Sequence, residues 1–356
     1  MAATIHVGLL GFGMAGRLFH APFIANVAGL KLKKIKANRP ESVALARLRY
    51  PKTEIVASEQ DIIEDETIDL VVVATANPTH YNLAKAALLA GKHVLVDKPF
   101  TITSAEADEL IVLAKEKQKV LTVYQNRRWD SDFKTVKKVL QDNLLGRLVE
   151  YEAHFDRYRN EIKPDTWKEE NLPGAGILYD LGAHLIDQAL VLFGEPQRVY
   201  ADIKIQRQGS KIPDYFEVVL FYSNLKVILK AGMLVRETGP HFILHGSKGS
   251  FVKYGMDVQE AALKAGSFPT AAATDWGQEP EELWGMLNTE LNGLHFKGKI
   301  ESEIGDYSGL YQNVYDAIIG QDELEVKPEQ ARNTIRIIEL AMQSSQENRT
   351  LSYSFS

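Results

Sequence analysis

The chain has 356 residues, 45% hydrophobic and 25% charged, with a formal net charge of −6 and no cysteine. That length suits two domains, each with its own core. The acidic balance offers no footprint for nucleic acid or an anionic membrane, and no apolar run reaches the roughly 18 residues of a membrane span. Without cysteine, disulfides, thiol nucleophiles, iron–sulfur clusters and thiolate zinc sites are all removed. No signal peptide is visible, so the cytoplasm is the expected compartment.

Ile5 to Gly16 reads as a short apolar strand running into Gly11, Gly13 and Gly16, spaced G-x-G-x-x-G. Gly11 makes the turn, Gly13 lets the backbone approach a pyrophosphate, and Gly16 lets the next helix pack on the strand. The loop Gly11-Phe12-Gly13-Met14-Ala15-Gly16 would then present helix-start N–H groups to phosphates. A helix follows from Arg17 to Val27 with a kink expected at Pro22, then a strand from Leu30 to Ala37. Dinucleotide sites that prefer NAD place a carboxylate about 20 residues beyond the loop; this chain has Asn38-Arg39. A guanidinium holds a 2′-phosphate that a carboxylate would repel, so NADP is favoured over NAD. A solvated arginine beside Glu41 is the plainer alternative.

Strand and helix signals keep alternating: a helix over Pro40–Arg49, a strand over Glu54–Ala57 and an acidic helix over Glu59–Asp65. Leu70 to Thr75 is a continuous apolar run suited to a buried parallel strand. Thr75, Asn77 and His80 follow at its carboxyl end, where ligands sit in open α/β sheets. His80 suits a cofactor contact or a cap for the helix to Leu89. The strand His93–Val96 ends in Asp97-Lys98-Pro99. A lysine there is either a solvated terminus or an amine that hydrogen-bonds a reacting oxygen and exchanges protons. A helix over Ser104–Lys117 and a strand over Val120–Tyr124 complete a doubly wound parallel sheet, a Rossmann domain over residues 1–125.

Residues 126–356 read as an α+β domain with a large, mainly antiparallel sheet. Ser131–Leu144 is a helix, and Leu148–Tyr158 a strand with two unlike faces. Arg157 and Trp167 suit contact with a polyol or an oligomer seam. Asp180 and His184 stand four apart and would share one helix face, either as a surface pair or as a proton-carrying histidine oriented by a carboxylate. Strands are expected over Val199–Gln206, Tyr215–Tyr222, Lys226–Leu234, Phe242–His245 and Ser250–Lys253. Helices are expected over Tyr307–Ile319 and Glu329–Glu347, and an irregular excursion over 265–300. Two ligands on one helix fall short of a metal site, so no metal is expected.

The GFGMAG loop, Thr75-x-Asn77-x-x-His80, Asp97-Lys98-Pro99, Asn126-Arg127-Arg128 and Asp180-x-x-x-His184 together resemble the Gfo/Idh/MocA oxidoreductase family over nearly the whole length. Within it, the chain is most similar to NADP-dependent scyllo-inositol dehydrogenases. Asp97 stands where the family pattern usually has Glu, and the shorter carboxylate is expected still to reach a ribose hydroxyl. The resemblance implies a catalytic set of Lys98, Asp180 and His184, with Lys98 and His184 interchangeable as proton carrier. It implies cofactor contacts by the glycine loop, Asn38, Arg39, Thr75, Asn77, His80, Asp97, Lys98, Asn126 and Arg128. It also implies a substrate floor including Lys98, Arg157, Trp167, Tyr179, Asp180 and His184, and a homo-oligomer, dimer or tetramer, through the open sheet face. The expected reaction is hydride exchange between NADP(H) and a cyclic polyol or sugar. A non-catalytic NADP- and sugar-binding sensor and a redox-assisted glycoside hydrolase are the alternatives.

Overall fold

Strand Leu70–Val73 is buried at every residue, as a strand covered on both faces requires. It lies in the middle of a six-stranded sheet. In chain order the strands are β1 Ile5–Leu10, β2 Leu30–Lys36, β3 Glu54–Val56, β4 Leu70–Val73, β5 His93–Asp97 and β6 Leu121–Tyr124. The spatial order is β3-β2-β1-β4-β5-β6, and every neighbouring pair is parallel. All six carboxyl ends therefore share one edge, and the strand order reverses between β1 and β4, the switch point where such sheets bind ligands. This computed structural model describes residues 3–163, 169–269 and 275–354.

The first helix differs from the sequence expectation. Instead of one kinked helix, a π-helical turn over Gly16–His20 leads into α1, Ala21–Asn26. Pro22 lies in the first turn of α1, where its missing N–H costs no hydrogen bond. Helices α2 Pro40–Arg49, α3 Gln60–Ile63, α4 His80–Leu89 and α5 Ser104–Glu116 complete the crossovers.

The second sheet has nine strands: β7 Leu148–His154, β8 Arg198–Lys204, β9 Tyr215–Phe221, β10 Lys226–Gly232, β11 Phe242–Gly246, β12 Gly249–Lys253, β13 Gly285–Leu291, β14 Leu294–Ile300 and β15 Leu351–Ser352. Their spatial order is β14-β13-β12-β11-β7-β10-β9-β8-β15. The β7–β10 pair is parallel and the rest antiparallel. Alternation sorts the faces: Tyr151, Ala153, Phe216, Val218, Leu220, Val227, Leu229, Phe242, Leu244 and Phe251 are buried, while the residues between them point the other way. Strand β7 stops at His154, short of the expected Tyr158, which makes only a single bridge to Leu234. Helices α6 Ser131–Gln141 and α7 Ala183–Phe193 belong to this part of the chain.

Residues 265–300 are not wholly irregular. Strands β13 and β14 pair as a hairpin around Asn292 (φ 51°) and Gly293 (φ 81°), the two positive-φ positions that a tight primed turn needs.

Two compact units result, and neither is a single run of chain. The first holds residues 1–126, 259–276 and 306–332; the second holds 127–258, 277–305 and 333–356. The expected single cut at 125/126 therefore differs from this division. The first unit also takes α8 Gln259–Lys264 and α9 Ser308–Ile318.

Candidate active site

In the first unit, the glycine loop is fixed by sterics at two positions and open at a third. Gly11 has φ +100°, and a Cβ there would lie 2.4 Å from Ala74 O; a Cβ on Gly16 would lie 2.1 Å from Gly11 O. At Gly13 a Cβ would meet no protein atom within 4 Å. Packing within the chain thus demands Gly11 and Gly16, whereas the space over Gly13 is open. A dinucleotide pyrophosphate fits that cradle. Phe12 is buried and Met14 is exposed; Ala15 is half-buried.

The other first-unit candidates stand at the same sheet edge. Asn38 and Arg39 are exposed beyond β2. With its amide nitrogen turned inward, Asn38 donates to Ala37 O (3.2 Å) and Ala57 O (2.8 Å), tying the ends of β2 and β3 beside Arg39. Thr75 follows β4 with its hydroxyl 2.6 Å from that of Thr79, and Asn77 is half-buried. His80 is fully buried, with Nδ1 2.8 Å from Pro99 O and Nε2 3.2 Å from Thr75 O. Burial pushes its imidazole below the usual range, although Asp97 and the two carbonyls pull the other way. Both ring nitrogens face main-chain carbonyls, so His80 braces the turn that carries Lys98.

Asp97 ends β5, and its Oδ1 accepts the Lys98 N–H at 2.8 Å. Burial raises its carboxyl, but His20, Lys98 and His80 outweigh that and hold it below the ordinary carboxylate value. Lys98 is half-buried and precedes a cis peptide bond to Pro99. Asn126 is buried at the end of this unit's first segment.

In the second unit, a π-helical turn over Leu178–Gly182 opens α7. Single wide turns of this kind occur often at functional sites, and here both the glycine-loop helix and the Asp180 helix begin with one. Tyr179 is buried, Asp180 half-buried and His184 buried, so the four-residue spacing read as α-helical is carried through the wide turn. The His184 ring meets Phe155 edge-on, with centroids 6.4 Å apart. Arg157 is half-buried, its N–H bonded to Gly232 O at 3.0 Å. Trp167 lies outside the described residues.

Arg128, expected at the cofactor, is paired within the second unit. Its Nε and Nη2 donate to Asp187 of α7 at 2.8 and 2.7 Å, and both side chains are 3% exposed. Such a bidentate buried pair anchors α7. Sequence reasoning missed Asp187, although an acid inside the apolar run Leu185-Ile186-Asp187-Gln188-Ala189 was a signal that some cation awaited it. It also missed His20, a polar ring inside the apolar Leu18–Ala21 stretch.

Two family models match: "Oxidoreductase family, NAD-binding Rossmann fold" over residues 5–125, and "Oxidoreductase family, C-terminal alpha/beta domain" over 137–353. The chain belongs to the Gfo/Idh/MocA oxidoreductase family. Its first domain is accordingly an NAD(P)-binding Rossmann domain. It is 41% identical to the uncharacterized oxidoreductase YdgJ of Escherichia coli K12, over 99% of both chains. It is 40% identical to the scyllo-inositol 2-dehydrogenase (NADP(+)) IolW of Bacillus subtilis 168, over 98% of this chain and 96% of that one. The crystal structure of an oxidoreductase from Bacillus cereus superposes with a TM-score of 0.89 at 35% identity, over 99% of both chains. Among the described residues, no helix is long and apolar enough to cross a membrane.

Proposed function

We propose that this oxidoreductase is an NADP-dependent dehydrogenase that interconverts a secondary alcohol and a ketone on a cyclic polyol or sugar of the inositol type. The observation that carries the reading is Lys98 at the carboxyl end of β5, on the same sheet edge as the open cradle at Gly13. The name of the B. subtilis relative supports the substrate class and the cofactor. When bound, the nicotinamide supplies the hydride acceptor or donor. His184 accepts the hydroxyl proton, Asp180 orients its imidazole, and Lys98 hydrogen-bonds the oxygen as charge builds on it. Arg157 and Tyr179 serve the polyol. The compartment proposed for the reaction is the cytoplasm.

Arg39 carries the cofactor preference. Arg39→Glu is expected to weaken NADPH binding by about 10- to 100-fold, the worth of a charge-assisted hydrogen bond, while NADH binding holds or improves. Fluorescence titration with both nucleotides checks this, together with nicotinamide absorbance against a panel of inositols and aldoses. Unchanged NADPH affinity in the variant would remove the preference; tight NADPH binding with no turnover on any polyol would favour a sensor.

The outer face of the nine-stranded sheet serves a homo-oligomer. Tyr200, Val219 and Ile228 stand in register across β8, β9 and β10. Ile243, Val252 and Met286 do so across β11, β12 and β13, an apolar row of the kind that interfaces use. Light scattering is expected to find a dimer or tetramer for the wild type and smaller species for Ile228→Asp. A monomeric wild type would end the idea.

A further inference from the structure

Behind Lys98, inside the first unit, lies a chain of buried polar groups with no part in the reaction as drawn above. His20 ends the π-helical turn after the glycine loop and is 0% exposed. Its Nδ1 lies 2.7 Å from the hydroxyl of Tyr311 on α9, and its ring lies against Tyr124, with centroids 4.3 Å apart. Its Nε2 points at Asp97 Oδ2 across 3.7 Å, with no hydrogen-bond partner nearer. Asp97 in turn holds the Lys98 N–H through its other oxygen.

The chemistry of these partners limits the tautomer. A carboxylate facing Nε2 repels a lone pair and attracts a proton, so Nε2 carries hydrogen. Nδ1 then accepts from the Tyr311 hydroxyl in the neutral ring, or donates to it in the imidazolium. In either state the order is tyrosine, histidine, carboxylate, lysine main chain. A lone Asp97 carboxylate at this edge could rotate outward; with His20 on one oxygen and the Lys98 N–H on the other, it has one orientation. The departure from the family's usual Glu then has a physical sense, because the shorter side chain is turned to an internal partner.

We propose that Tyr311, His20 and Asp97 form a positioning chain that fixes the Lys98 main chain, and with it the Lys98 amine, for the reaction. This rests on the reading of Lys98 as the group that acts on the substrate oxygen. His20 is a positioning residue in this proposal: it is 0% exposed and its ring is set against Tyr311, Tyr124 and Asp97.

The test has two parts. Long-range ¹⁵N–¹H spectra of the cofactor-free protein, with His20 assigned by loss of its signals in His20→Gln, report the ring tautomer directly. Hydrogen on Nε2 is expected; an Nε2 without hydrogen, with Nδ1 donating to Tyr311, would overturn the proposal whatever the activity. In kinetics, His20→Phe keeps the ring against Tyr124 but removes the donor. It is expected to lower kcat about 10- to 100-fold, as a small misplacement of a reacting group does, with NADPH affinity and substrate KM little changed. His20→Gln, which can return an N–H toward Asp97, is expected to recover most of that loss. Equal losses in both variants accompanied by weaker NADPH binding would indicate packing alone and overturn it. Wild-type kcat in His20→Phe would overturn it too, and if Lys98→Met is inactive in the same assay, the role of Lys98 stands without it. Full activity in Lys98→Met would instead bring down the underlying reading.

Discussion

Lys98→Met is expected to lower kcat by about 10²- to 10⁴-fold, the usual worth of a positioned proton-transfer or oxyanion-stabilising group, and to leave NADPH binding nearly intact. The asymmetry follows from where binding resides. In the proposed reading the phosphates rest on the loop whose geometry Gly11 and Gly16 impose, and the methionine keeps the apolar stem of the side chain. What disappears is the charge that grows in worth only as the substrate oxygen gains negative character. His184→Asn is expected to give a loss of similar size, and the double variant less than the product of the two, since the proposed mechanism has both groups serve one proton and one oxygen. Steady-state kinetics with an inositol that supports turnover, alongside NADPH titration, decides it. Near wild-type turnover in Lys98→Met would remove the catalytic assignment.

The parts of this site that were legible in the sequence are those set by local geometry. A G-x-G-x-x-G run after an apolar strand has few other uses, and the structure gives each outer glycine a main-chain oxygen within 2.4 Å of where a Cβ would be. The continuous apolar strands of the first sheet and the alternating strands of the second carry their burial in their own pattern. The partners were not legible. Arg128 and Asp187 are 59 positions apart, and His20 and Tyr311 are 291 apart; no periodicity couples positions at such separations. The Asp187 partner of Arg128 therefore has no local signal beside the arginine itself. The return of α8 and α9 to the first unit was hidden for the same reason, because an amphipathic pattern says that a helix has a buried face and not which sheet it covers. The β13–β14 hairpin is a different miss: Asn292-Gly293 was a local signal, outweighed by the Gly, Pro, Thr and Ala content just before it.

Asp132→Asn is expected to stabilise the protein near pH 8 and to flatten its stability profile between about pH 4 and pH 7. Asp132, in the first turn of α6, is 0% exposed. Its Oδ1 accepts the Phe133 N–H at 2.6 Å, and its Oδ2 lies 3.5 Å from His241 Nε2 with no closer partner. Burial, followed by the like charge of Asp257, pushes its carboxyl up to about 7, although Lys253 pulls it down. Burial drives His241 down to about 3, against the hydrogen bond to His154 O. The ring is thus neutral, its Nδ1 donates to that carbonyl, and its Nε2 lone pair faces a protonated Asp132. A folded pKa above the unfolded value of about 3.9 means that the native state binds the extra proton. The contribution to stability is fully present below about pH 4 and is lost as pH rises through about 7, at about 1.4 kcal/mol per unit of separation. An asparagine stays neutral and can turn its amide N–H toward His241, so the loss does not occur. The neighbouring pair responds in the opposite sense. Lys253 and Glu279 are both 0% exposed and 2.8 Å apart, and Lys253→Met leaves Glu279 with the Ser302 hydroxyl and no cation, costing about 3–5 kcal/mol. Urea unfolding of wild type and both variants at pH 5 and pH 8 separates the cases. An Asp132→Asn protein less stable than wild type at pH 8, with the slope retained, would mean that Asp132 is ionised and paired in the native state.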